Sequence, residues 1–138
     1  MAVAPWNQVR RVLQYAVTAM PAGKILMGIP NYGYDWIVGS SAAATVVSNV
    51  GAINIAAQNN AQIFFDETAK APYFNYRDSA GRRHEVWFED ARSIQAKLDL
   101  VREFGLAGVR FWHIGTYFAQ AWEVLNANFL VNKVRSPR

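Results

Sequence analysis

The stretch KILMGIPNYGYDW, Lys24 to Trp36, joins an almost unbroken apolar run to an exit rich in Gly and aromatic residues. Ile25 to Ile29 lacks the alternation of a half-solvated strand, which predicts a parallel strand covered on both faces. Upstream, Trp6, Val9, Val12, Leu13, Ala16, Val17 and Met20 recur at helical spacing, behind a Pro5 that the first turn of a helix tolerates. Pro21-Ala-Gly23 then ends that helix before the strand begins.

The same grammar returns near the end of the chain. Ser93 to Phe104 places Ile94, Leu98 and Val101 on one face, and Gly105 stops the helix. LAGVRFWHIG, Leu106 to Gly115, is a second apolar strand leaving through an aromatic. Phe118, Trp122, Leu125 and Phe129 form one stripe of a last helix, and the polar tail NKVRSPR is expected to fray. Between these units, Gly39 to Asn60 is rich in Ala, Ser and Asn, with a helix expected around Ala52 to Ala57. AQIFFD reads as a strand, and PYFNYRDSAGRRHEVWF as a hairpin turning at Asp78 to Gly81, with Phe74 and Tyr76 on one face and Tyr73 and Asn75 on the other.

Alternating parallel strands and helices point to an α/β architecture, yet two such strands make a poor sheet. Parallel pairs need both faces and both edges covered, so the pattern predicts part of something larger.

The totals narrow the chemistry. With 138 residues, 52% hydrophobic and 17% charged, the chain suits one globular domain. It has no cysteine, and its two histidines, His84 and His113, lie far apart, so neither a disulfide framework nor a metal site is expected. Arg10 and Arg11 interrupt the opening before an apolar core of a signal peptide forms, and nothing reaches the length of a membrane span. The net charge is +4 and the pI about 9.6, but the basic residues are scattered and no groove-reading motif accompanies them, which argues against a nucleic-acid partner. A weakly basic surface also suits an anionic polymer such as a cell wall.

KILMGIPNYGYDW, then AQIFFDETAKAPYFNYRDSAGRRHEVWFEDARS, then KLDLVREFGLAGVRFWHIG resemble the last portion of family 18 glycoside hydrolases, chitinase-like enzymes, over about Pro5 to Phe129. The similarity is greatest to the bacterial branch of spore germination and cortex-lytic N-acetylglucosaminidases. It implies the last two strands and three helices of a (β/α)8 barrel, with residues 39–89 as a small α+β insertion and the whole of 1–138 as the C-terminal part of a catalytic domain. A complete barrel takes roughly 250 residues, so more than half would lie elsewhere. The family's catalytic signature, D-x-x-D-x-D-x-E, occurs nowhere in this sequence, and no residue here inherits the acid or the acetamido-orienting role.

The resemblance assigns Trp112 to the apolar floor beneath the sugar at the cleaved bond, at the strand end where barrels place their sites. A flat indole covers the C–H face of a pyranose. Tyr32 and Tyr34 share one parity beyond the first strand and are expected at the mouth, although many relatives carry Arg where Tyr34 stands. Asp35 and Trp36 begin the loop into the insert and are expected to wall the cleft, and Glu89 to reach it from the insert. Glu89 and Asp90 are adjacent and point apart, so they cannot flank one bond; Asp90 or Ser93 is expected to cap the next helix, with Arg92 answering one of the acids. Arg110 shares the parity of Trp112, inside the barrel, where it needs a carboxylate from a strand this chain lacks. His113 is expected against the helices.

The resulting expectation is the C-terminal part of a glycosidase acting on β-1,4 bonds of N-acetylglucosamine polymers, peptidoglycan ahead of chitin. It would use no metal or cofactor and would work at the spore or cell envelope or outside the cell. Its partners would be that glycan and the remaining barrel segment, or a second copy covering the sheet. The rival is a non-catalytic glycan-binding remnant.

Overall fold

The computed structural model describes residues 1–113 and 115–131, so the tail expected to fray lies outside the described residues. The elements run α1 (Trp6–Ala19), a 3-10 turn (Ala22–Lys24), β1 (Leu26–Pro30), β2 (Gly33–Ile37), β3 (Thr45–Val47), α2 (Asn49–Gln58), β4 (Phe64–Asp66), β5 (Ala71–Arg77), β6 (Arg83–Trp87), α3 (Ala91–Phe104), β7 (Gly108–Trp112) and α4 (Ala119–Asn128). This is a mixed α/β fold with two sheets.

The first sheet is the parallel pair β1 and β7, in register from Leu26 opposite Gly108 to Pro30 opposite Trp112. Met27 and Ile29 turn inward onto α1, α3 and α4, where they join Leu13, Ile94, Leu98, Leu100, Val101, Phe118 and Leu125 in one core. Burying each such aliphatic side chain stabilises by about 1.5–3 kcal/mol relative to leaving it in water. Among the described residues the strand is covered on one face only. Leu26 is 60% exposed, and Gly28, Arg110 and Trp112 share its open side.

The second sheet is antiparallel, in the order β3-β2-β6-β5-β4. It begins at Gly33 rather than at Gly39, because the chain bends at Asn31 and Tyr32 and sends β2 away from β1 to pair with β6. Gly33 permits this: a Cβ there would lie 2.3 Å from the Trp87 carbonyl oxygen. Phe74, Val86 and Phe88 on the inner face pack on Ala52 and Ala56 of α2, giving a second core. Ser48 caps α2, its hydroxyl accepting from the Gly51 N–H at 2.9 Å.

The helix α3 has the strongest local specification. Asp90 accepts from the N–H groups of Arg92 and Ser93 while Ser93 Oγ accepts from the Asp90 N–H, closing a capping box. Gly105 ends it in the left-handed region at φ 62. Arg92 answers Asp90 across a 2.7 Å ion pair. On α4, Phe118 and Leu125 are buried as the stripe predicts, whereas Trp122 remains 39% exposed while packing against Phe111.

Candidate functional site

Both parallel strands deliver their carboxyl ends to one place. Trp112 lies at the end of β7 on the open face of the sheet, opposite Pro30, and its side chain is 60% exposed. An indole this open has no core role, and no helix among the described residues covers it. Arg110 sits one step earlier on the same face, its guanidinium carbon 5.9 Å from the Trp112 ring. Among the described residues Arg110 forms no ion pair with a carboxylate. His113 does not face the helices; it is exposed in the turn after β7, where its Nδ1 accepts from the Gly115 N–H. The Trp112–His113 peptide is cis.

The turn is tied down by Asn31. Its backbone N–H donates to the Trp112 carbonyl at 2.7 Å, and its Nδ2 donates to the carbonyls of His113 at 3.1 Å and Thr116 at 2.5 Å. Thr116 Oγ1 returns a bond to the Asn31 carbonyl.

From Tyr32, next in the chain to Asn31, a line of aromatic rings runs along β2. Tyr32 and Tyr34 meet edge to face with centroids 5.6 Å apart, and Tyr34 meets Trp36 in the same way. Burial first, and then the neighbouring Tyr34, hold the Tyr32 phenol above its ordinary range, so its hydroxyl keeps its proton and can donate. Trp36 and Asp35 lie within β2 rather than in a loop. Trp36 Nε1 donates to the Met1 carbonyl. Asp35 points to the buried side, where it accepts from Tyr76 Oη and lies 2.7 Å from His84 Nδ1.

Strand register extends the line. Val46, Tyr34, Trp87, Tyr73 and Phe64 stand directly opposite one another across all five strands of the antiparallel sheet. Tyr73 and Trp87 stack at 4.7 Å, and Trp87 Nε1 donates to Glu85.

Glu89 does not reach open space. It is 2% exposed, and both its carboxylate oxygens accept from Lys97 Nζ at 2.9 Å, on a lysine that is itself fully buried. Burial pushes this carboxyl up, and Lys97 and Ser93 pull it partly back. The pair ties the end of the insert to α3 and offers nothing to a solvent-borne ligand. Among the described residues no cluster of three or more metal-binding side chains occurs, and no helix is long and apolar enough to cross a membrane.

A sequence model described as glycosyl hydrolases family 18 matches residues 3–116. The chain belongs to that family. It is 53% identical over 135 residues to the cortical fragment-lytic enzyme of Bacillus subtilis strain 168, the match covering 96% of this chain and 31% of that enzyme. The crystal structure of the Bacillus cereus spore cortex-lytic enzyme SleL superposes with a TM-score of 0.93 at 47% identity, over 96% of this chain and 31% of the other. A chitinase from Chromobacterium violaceum ATCC 12472 follows with a TM-score of 0.78 and 35% identity, over 84% of this chain and 36% of its own. The chain thus spans about a third of the length of these family 18 relatives.

Several residues of this family 18 surface escape a reading of the sequence. Trp87, Tyr73 and Phe64 join Tyr34 only through cross-strand register. The hairpin turn at Asp78 to Gly81 fixes that register, so parity counted back from it would have found Trp87. Asn31 and its bonds to the Trp112 turn leave no sequence signal, because their partners are backbone groups some eighty residues away.

Proposed function

We propose that this chain forms the last two strands and three helices of a (β/α)8 barrel, and that it supplies one wall and the floor of a cleft for N-acetylglucosamine polymers. The observation that carries the reading is the Trp112 indole, held open at the carboxyl end of a parallel strand, the end where barrel enzymes assemble their sites. A pyranose laid on that ring covers apolar area with its C–H face while its hydroxyls stay free to bond. Tyr32, Tyr34 and Trp36, which follow the bend at Asn31, would form the wall.

The edges of the parallel pair support the partial-barrel reading. An apolar cleft of about 440 Å³ runs between α1 and the outer edge of β1, lined by Val9, Leu13, Leu26 and Gly28 among others. A second, of about 390 Å³, lies beside β7 between Val109, Leu125 and Phe129. Strands of the remaining barrel would fill both.

Peptidoglycan of the spore cortex is the preferred polymer, since the two relatives near half identity are named for cortex lysis, and chitin is second. The complete protein would hydrolyse β-1,4 bonds at the spore or cell envelope. The acid would come from a D-x-x-D-x-D-x-E strand outside this sequence, so the isolated chain binds and does not cut. That same lack of a positioned acid favours, as a second reading, a glycan-binding remnant, which an upstream coding sequence without the motif would establish.

Calorimetry with chitooligosaccharides tests the floor. Wild type should bind, and Trp112→Ala should weaken binding about ten- to a hundredfold, the equivalent of one lost aromatic contact of about 1.5–3 kcal/mol. Equal affinities for the two proteins would remove Trp112 from the floor.

A further inference from the structure

The polar groups beneath the cleft form one oriented chain. The Glu89 N–H donates to Asn49 Oδ1 at 3.0 Å, Asn49 Nδ2 lies 3.4 Å from Asn31 Oδ1, and Asn31 Nδ2 donates to the carbonyls of His113 and Thr116. Asn49 and Asn31 are buried, at 1% and 7% exposure. Each amide has only one orientation that works, because reversing Asn31 would set its oxygen against two carbonyl oxygens. At one end of this chain Glu89 is locked to Lys97 of α3; at the other is the turn that begins at Trp112.

We propose that Asn31 is the positioning residue of the Trp112 ring and sets the floor against the aromatic wall of the insert. It stands at the bend where β1 gives way to β2, and among the described residues it is the one side chain hydrogen-bonded both to the turn after β7, through the carbonyls above, and to the insert, through Asn49. A buried amide that loses its acceptors must move or leave them unpaired, so the turn and the insert hold one relative placement. Asn31 meets no glycan in this arrangement; it acts through the ring. The effect on affinity rests on the glycan-floor reading, whereas the effect on the ring does not.

The test uses the whole chain labelled with 5-fluorotryptophan, its five fluorine resonances assigned by single Trp→Phe changes. Asn31→Asp is nearly isosteric but cannot donate when ionised. It should shift or broaden the Trp112 resonance while Trp6, on α1 in the core behind the parallel pair, keeps its position. Lowering the pH should return the Trp112 signal of Asn31→Asp toward that of wild type at the same pH, because the protonated carboxyl regains one donor. Asn31→Leu should show no such return. In the same samples, chitooligosaccharide affinity should fall about tenfold or more with Asn31→Asp.

An unmoved Trp112 resonance in folded Asn31→Asp overturns the proposal. So does recovery with pH in Asn31→Leu, which would assign the titration to another group. If Asn31→Asp unfolds, Asn49→Asp decides: it keeps the acceptor for Glu89 and removes only the donor to Asn31. A smaller shift of Trp112 alone supports the relay, and no shift refutes it. If wild type binds no oligomer, the function reading fails while the fluorine result still stands.

Discussion

The two sheets solve the same problem in opposite ways. The five-stranded antiparallel sheet ends in β3 and β4, three residues each, and packs its inner face on α2, so its edges are short and its core is its own. Among the described residues, the parallel pair buries one face against three helices and leaves the other face and both outer edges open. Among the described residues one unit closes on itself and the other stays open, and on the barrel reading proposed above further strands would complete it. The exposed Trp112 belongs to the unfinished unit, and the aromatic row belongs to the finished one. The proposed cleft would therefore need a rigid insert and a completed sheet together.

The largest expected effect comes from breaking the joint between the two. Lys97→Ala would strand the buried Glu89 carboxylate and cost about 3–5 kcal/mol, read as a lower urea midpoint. Replacing both members by Leu and Met should recover most of that loss, since it removes the uncompensated charge. A single-variant cost below about 1 kcal/mol would mean that the joint is not holding the units.

A second effect sharpens the contrast directly. Amide hydrogen exchange on the chain alone should show β5 and β6 at least about tenfold better protected than β1 and β7, because the parallel pair opens locally without its neighbours. Equal protection would show that two strands and three helices suffice.

The smallest effect is confined to the hairpin tip of the insert. Desolvation pushes the Asp78 carboxyl up, but hydrogen bonds from the Arg82 side chain and backbone and from His84 outweigh it and take it from 3.8 down to about 2. A depressed carboxyl contributes stability that is present above pH 3.8 and lost as the pH falls toward 2. The β5–β6 turn amides should lose protection over that window, and Asp78→Asn should abolish the dependence.

What the sequence revealed and concealed follows the same division. The helices α1 and α3 announced themselves through spacing, Pro5 and the Asp90-to-Ser93 cap, and the apolar runs gave β1 and β7. The hairpin was legible from its alternation and its Asp78-to-Gly81 turn. The break at Asn31 was not, because the apolar and aromatic run continues through it and the reason for Gly33 is a backbone in the other sheet. Glu89 read as a cleft acid because burial and a lysine eight residues on are invisible to local pattern. Trp112 was legible as a strand-end aromatic, whereas the row through Trp87 and Tyr73 exists only in register between strands.

The most direct measurement replaces the matching segment of the Bacillus subtilis relative with this chain and assays hydrolysis of N-acetylglucosamine polymers. The account predicts a folded, active chimera whose kcat/KM falls about a hundredfold with Trp112→Ala. A folded chimera that does not cut, or one that cuts equally well without the indole, would contradict it.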